Sequence, residues 1–130
     1  KAARLLWADA GRRPEGLVVL ASTDLTHYGA SFGVTPAGSG PAALEWARGN
    51  DWRWLDTLLE LRSEAIVATA QRDGSACGAG AAAAAAGWAA EAGCRRGQVL
   101  AYASSHDSEK PGGLAEHFVD YASVIYECEG

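Results

Sequence analysis

Short apolar runs and segments of helical periodicity alternate along this chain. Residues 17–22 form an apolar run without polar alternation, which is typical of a strand covered on both faces. Residues 98–103 and 118–126 are rich in β-branched and aromatic side chains, and we expect them to form two further strands. The hydrophobic pattern therefore predicts a small sheet built from three separated segments.

Between the first two predicted strands the apolar positions change to helical spacing. Residues 52–71 carry apolar side chains at three- and four-residue steps, and Asp51 stands where an N-cap of that helix would lie. Residues 79–92 are mostly alanine, the residue with the highest helix propensity. Shorter helices are predicted at 1–12 and at 41–47, the latter beginning with a proline.

The order of these elements predicts an α/β fold with a central mixed sheet flanked by helices. The 130 residues suit one domain or part of one. Met is absent, and the pattern at 1–12 lacks a preceding cap. We therefore expect the chain to be part of a longer protein.

Charge and composition exclude several classes of partner. The net charge is −5 and no Lys/Arg-rich run occurs, which disfavours nucleic acid and anionic membranes as partners. The run of small apolar residues at 79–90 is too short to span a bilayer. A small molecule or a peptide is the kind of partner that the composition leaves open.

The cysteines carry a separate expectation about compartment. Cys77, Cys94 and Cys128 are odd in number and widely spaced, and they contain no C-x-x-C pairing. This pattern argues against a disulfide scaffold and against a structural zinc site. It favours a reducing, cytoplasmic setting.

A cluster of polar residues directly follows the first predicted strand. Asp24 and His27 lie three residues apart there, and a carboxylate can orient an imidazole that acts as a general base. Ligands of open α/β sheets bind beyond the carboxyl ends of the strands, which places this cluster where a site is expected. The alternative is that Asp24 only bonds turn amides and that His27 packs.

Cys77 lies immediately before the Ala-rich helix. The macrodipole at a helix N-terminus favours a thiolate, which suits a nucleophile or a metal ligand. The alternative is a small buried cysteine at a tight turn. The spacing of the sequence does not decide between these interpretations.

Four segments together resemble the MEMO-like family, also described as AmmeMemoRadiSam system protein B. The family is related to class III extradiol ring-cleaving dioxygenases of the LigB type. The resemblance covers nearly the whole chain and corresponds to the C-terminal half of the family. The matching segments are STDLTHYG at 22–29, SACG at 75–78, YASS at 102–105 and FVDYA at 118–122.

The resemblance implies a MEMO/LigB-like dioxygenase fold and roles for particular residues. His27 matches an active-site acid/base of the dioxygenase relatives, with Asp24 beside it. Cys77 matches a cysteine that joins two histidines to bind iron or copper. Those histidines belong to the family's N-terminal half, which this chain does not contain. Asp120 stands where the family usually has Gly.

The function expected from this resemblance is a metal-dependent redox pocket that binds iron or copper. Because one Cys and one His do not complete a metal site, the chain by itself is expected to bind metal weakly. Two alternatives stay open. One is a non-catalytic pocket for a peptide or small ligand, and the other is a Cys–His hydrolase that uses Cys77 and His27.

Overall fold

The computed structural model describes residues 18–108 and 113–128. The helix predicted at 1–12 lies outside these ranges. The described helices are α1 (Pro41–Leu59), α2 (Ser63–Asp73) and α3 (Ala79–Glu91), and the strands are β1 (His27–Tyr28), β2 (Gly97–Ser104) and β3 (Phe118–Tyr126). Single 3₁₀ turns lie at Ala30–Phe32 and Ser105–Ser108.

The three strands form one sheet in the order β1-β3-β2. Both strand pairs are antiparallel, with His27 opposite Val119 and Tyr102 opposite Ala122. The predicted α/β class is confirmed. Over the described residues the sheet is antiparallel throughout, which differs from the mixed sheet that we expected.

Three of the predicted elements are confirmed with nearly the predicted bounds. They are the Ala-rich helix α3 and the strands β2 and β3. Each has a strong local preference, either alanine propensity or a run of β-branched and aromatic residues. Among the described helices, none has both the length and the apolar character needed to cross a bilayer.

The strand predicted at 17–22 is wrong. Residues 18–26 have no regular secondary structure, and the side chains of Val18 and Leu20 are 86% and 90% exposed. An apolar run becomes a strand only where another strand bonds its backbone, and β3 pairs instead with His27–Tyr28. Residues 18–21 line one wall of an apolar cavity of about 630 Å³.

The predicted bounds of the two middle helices are also wrong. Helix α1 runs without interruption from Pro41 to Leu59, and Asp51 lies buried in its interior rather than at its N-cap. The break comes later, at residues 60–62, where Leu61 adopts the left-handed region with φ of 55°. Helix α1 continues through residues 48–51 because the polar side chains of Asn50 and Asp51 form hydrogen bonds with Thr26 in a different part of the fold.

The hydrophobic core lies between α1, α2, α3 and one face of the sheet. Trp54 is at its centre and donates its indole N–H to the carbonyl of Ile66 at 2.9 Å. Ala82 and Ala86 of α3 are buried, so this helix packs through small side chains. A smaller cluster contains Tyr28, whose ring stacks on the ring of Phe118 in β3 with centroids 4.9 Å apart. The main core buries Leu25 and the smaller cluster buries Tyr28, so the segment that contains β1 is held at both ends.

A disulfide joins Cys94, just after α3, to Cys128, just after β3. The cysteine pattern argued against a disulfide scaffold, and the structure shows this one disulfide. The two residues are 34 apart in sequence, yet the fold brings their Cα atoms to 4.2 Å. The pairing also removes the cysteine argument for a reducing compartment, because Cys77 alone is free.

We expect the unreduced, denatured protein to show one reactive thiol, Cys77, and the reduced protein to show three. Opening the disulfide should cost about 3–4 kcal/mol of unfolding free energy, because the bond closes a loop of this length. Thiol titration and denaturant unfolding of the wild type and of Cys128→Ser measure the two quantities. Three reactive thiols without reductant would contradict the pairing.

Candidate functional site

Two distant segments of the chain meet at one side of the molecule. The first is the irregular stretch before β1, which carries Asp24 and His27, and the second is the turn before α3, which carries Cys77. One carboxylate oxygen, one imidazole nitrogen and the Sγ atom of these residues all lie within 4.8 Å of one another. We call this group the Asp24–His27–Cys77 cluster.

Thr23 and Gly78 hold the two segments together. The amide of Gly78 donates to Thr23 Oγ1 at 2.7 Å, and that hydroxyl lies 2.9 Å from the carbonyl of Asp24. The amide of Asp24 points at Cys77 Sγ at 3.5 Å. These contacts fix the thiol against the backbone of the first segment although more than 50 residues separate them in sequence.

The Asp24–His27 pair is formed in the structure. His27 Nε2 lies 3.3 Å from Asp24 Oδ2, with side-chain exposures of 32% and 46%. The ring of Phe32 packs beside that of His27, with ring centroids 5.0 Å apart. Both functional groups are therefore oriented by neighbours and still open to a ligand.

Next to the cluster lies a buried polar network that was not among the predicted site residues. Asp51 Oδ1 accepts the amide N–H of Thr26 at 2.9 Å and its hydroxyl at 2.6 Å. The hydroxyl of Tyr102 lies 2.7 Å from Asp51 Oδ2 and 2.8 Å from Asp120 Oδ2. Thr26 is thus held from the side of α1 and is the residue directly before His27.

Burial controls the ionisation of this network. Desolvation raises the pKa of Asp51 to about 7, although hydrogen bonds from Thr26 and Tyr102 partly oppose that shift. Desolvation, followed by the hydrogen bond to Asp51, raises the pKa of the Tyr102 hydroxyl above its usual range. Tyr102 therefore stays neutral, whereas the pKa of Asp51 is raised toward the physiological range.

The sequence contained partial signals of this network. Tyr102 and Asp120 both lie in segments that carry the resemblance described above, YASS at 102–105 and FVDYA at 118–122. The sequence predicts a helix N-cap at Asp51, because an Asp directly before a run of helical periodicity usually caps the helix. Only its contact with Thr26, 25 residues away, shows its place.

The other histidines do not join the cluster. His117 contacts the hydroxyl of Ser31 at 3.1 Å, and His106 lies in the 3₁₀ turn after β2. Within the described ranges, the Asp24–His27–Cys77 cluster is the group of His, Cys and acidic side chains that could hold a metal ion.

The sulfur of the cluster suits a transition metal. A thiolate beside an imidazole favours copper, iron or zinc over magnesium or calcium. The 3.3 Å contact joins the carboxylate of Asp24 to the imidazole of His27, so Cys77 Sγ is the donor that is not paired with another side chain of the cluster. A metal bound at Cys77 would therefore need further ligands.

Fold and site together define an α/β protein with a thiol–imidazole–carboxylate cluster at one end of its sheet. The family model described as Memo-like protein matches residues 7–125. The chain belongs to the Memo-like protein family. A search of curated proteins found no match to it.

The turn before α3 should depend on the absence of a side chain at Gly78. A Cβ atom there would lie 2.7 Å from both the Ser22 carbonyl oxygen and Thr23 Cβ, so Gly78→Ala must separate the two segments of the site. We expect it to lower the unfolding free energy by about 1–3 kcal/mol.

Gly80→Ala is the matched control, because a Cβ atom there meets nothing within 4 Å and the residue lies inside α3. It should raise the unfolding free energy by up to about 1 kcal/mol. Denaturant unfolding of both variants measures the difference. Equal effects would show that Gly78 does not set the approach of the two segments.

Proposed function

We propose that this Memo-like protein carries a redox-active metal centre, for iron or copper, anchored by Cys77. The observation that supports the proposal is the convergence of the three donor atoms of the cluster within 4.8 Å. When bound, such a metal supplies one-electron chemistry that the side chains themselves lack.

In this proposal the side chains of the cluster have different tasks. Cys77 is the metal ligand, since its sulfur is the soft donor of the group and is the free thiol of the protein. His27 is the acid/base beside the metal, and Asp24 orients its imidazole through the 3.3 Å contact. The two histidines that the family resemblance implies would complete the metal's ligand set.

A ligand-binding role without catalysis is the second candidate. The apolar cavity of about 630 Å³ has the volume of a small-molecule site. Thr23 lines the cavity and also lies 3.9 Å from Cys77 Sγ, which places the cavity beside the cluster. In this case the protein would bind an apolar ligand and show no oxygen uptake with any substrate, including catechols.

Metal titration tests the assignment of ligand and base. Co(II) added to the protein should produce a thiolate charge-transfer band, with weak affinity because the site is incomplete. Cys77→Ala should abolish the band, whereas His27→Gln should reduce the affinity by no more than about 100-fold, the effect expected of a residue outside the metal's ligand set. His106→Ala is the control and should change neither quantity.

Exogenous imidazole should tighten the binding, because it fills the positions left open by Cys77. Tight binding without imidazole would contradict the need for further ligands. A band that survives Cys77→Ala would overturn the metal assignment itself. Rapid alkylation of Cys77 by iodoacetamide that is lost in His27→Gln would favour the Cys–His hydrolase instead.

A further inference from the structure

We propose that Asp51, Tyr102 and Asp120 share one proton in a hydrogen-bond chain that holds Thr26 and thereby positions Asp24 and His27. The chain runs from α1 through β2 to β3, next to the cluster. Its role in positioning the cluster rests on the proposed function, whereas the shared proton does not.

The count of hydrogen atoms requires a proton on one of the two carboxyl groups. The Tyr102 hydroxyl oxygen lies within 2.8 Å of one oxygen of Asp51 and of one oxygen of Asp120. A neutral phenol has a single hydrogen, so it donates to one of these oxygens only. The other close contact needs its own hydrogen, which a protonated carboxyl group provides.

The two carboxyl groups hold this proton jointly, and both are buried. Burial is the leading cause of the raised pKa of Asp51, whereas the two hydrogen bonds from Thr26 to Asp51 Oδ1 favour the ionised form of that group. Asp120 Oδ1 is buried without a hydrogen-bond partner among the described residues, which disfavours a full charge on Asp120. The Tyr102 hydroxyl lies between the two groups and links them through the one proton.

Two arginines of α1 lie near this chain. Arg48 lies over the Tyr102 ring at 5.3 Å, which favours one retained negative charge rather than none. Arg53 donates to Asn50 Oδ1 at 2.7 Å, and Asn50 Nδ2 donates to Thr26 Oγ1 at 3.0 Å and to the Asp73 carbonyl at 3.1 Å.

Both carboxyl residues hold the segment that bears the cluster. Asp51 accepts the amide and hydroxyl hydrogens of Thr26. The backbone of Asp120 accepts the Leu25 amide at 2.9 Å and donates to the Thr26 carbonyl at 3.1 Å. Leu25 and Thr26 are the two residues between Asp24 and His27, so the proton chain and the cluster share one short piece of backbone.

The first test is the pH dependence of folding in the metal-free protein. The pKa of Asp51 is about 7 in the folded state and 3.8 in the reference state, so between these values the folded protein keeps a proton that the unfolded chain has lost. The unfolding free energy should therefore fall as the pH rises from about 4 to about 7 and then level off.

Asp51→Asn should remove this fall, because it replaces the titrating carboxyl group by an amide that donates the missing hydrogen to Tyr102. Asp120→Asn should reduce the fall only in part, because burial remains the leading cause of the raised pKa of Asp51. Asp56→Asn is the control, since Asp56 lies exposed on the same helix, and it should keep the wild-type fall. A wild-type slope that persists in Asp51→Asn overturns the shared proton.

The second test needs no variant for its main readout. In protein labelled with ¹³C at the aspartate carboxyl groups, the signals of Asp51 and Asp120 at pH 6 should together show one bound proton rather than two ionised carboxylates. Two carboxylate signals at pH 6 would overturn the shared proton.

The positioning role is tested by rescue. The amide hydrogen of Thr26 should exchange about tenfold faster or more in Asp51→Leu, whereas Asp51→Asn should keep the wild-type exchange rate. Cobalt affinity should fall about 10- to 100-fold in Asp51→Leu and recover in Asp51→Asn. Absence of cobalt binding in the wild type would count against the proposed function, while the folding and ¹³C results would still decide the proton chain.

Discussion

The carboxyl group of Asp51, buried within α1, binds the amide and hydroxyl of Thr26, and the rest of the site depends on this contact. Without this contact, the buried carboxyl group of Asp51 would lack these two hydrogen-bond donors, which would lower the stability of the fold. The contact also explains why α1 continues where the sequence predicted a helix start. By fixing Thr26, it sets the backbone of the neighbouring Asp24 and His27 against the core.

The cluster itself is assembled from segments whose meeting no local pattern encodes. Cys77 reaches Asp24 because Gly78 has no side chain and lets Thr23 approach the turn before α3. The result is a soft sulfur donor, an imidazole and a carboxylate in one exposed recess, with a buried hydrogen-bond network next to it. In metal sites generally, the ligands face the metal and buried neighbours hold those ligands in place through hydrogen bonds.

The sequence predicted the α/β class, helix α3 and strands β2 and β3, and these predictions are confirmed because the local preference of each segment is strong. The sequence also named Asp24, His27 and Cys77 as site residues; the structure brings them together, and their roles stay a prediction. The predictions failed at residues 17–22 and at Asp51, and the sequence did not predict the Cys94–Cys128 pair. An apolar run does not show which strand will pair with it, an Asp before a periodic run does not show whether it caps, and cysteine spacing does not show distance in space.

The sequence by itself determined which segments favour helix or strand, because propensity and periodicity are properties of neighbouring residues. It also placed the reactive side chains at the ends of elements. The tertiary structure alone decided that β3 pairs with residues 27–28, that Thr23 meets Cys77, and that two buried carboxyl groups contact one tyrosine hydroxyl. Those outcomes depend on contacts between residues far apart in sequence, and such contacts form only when the whole core packs.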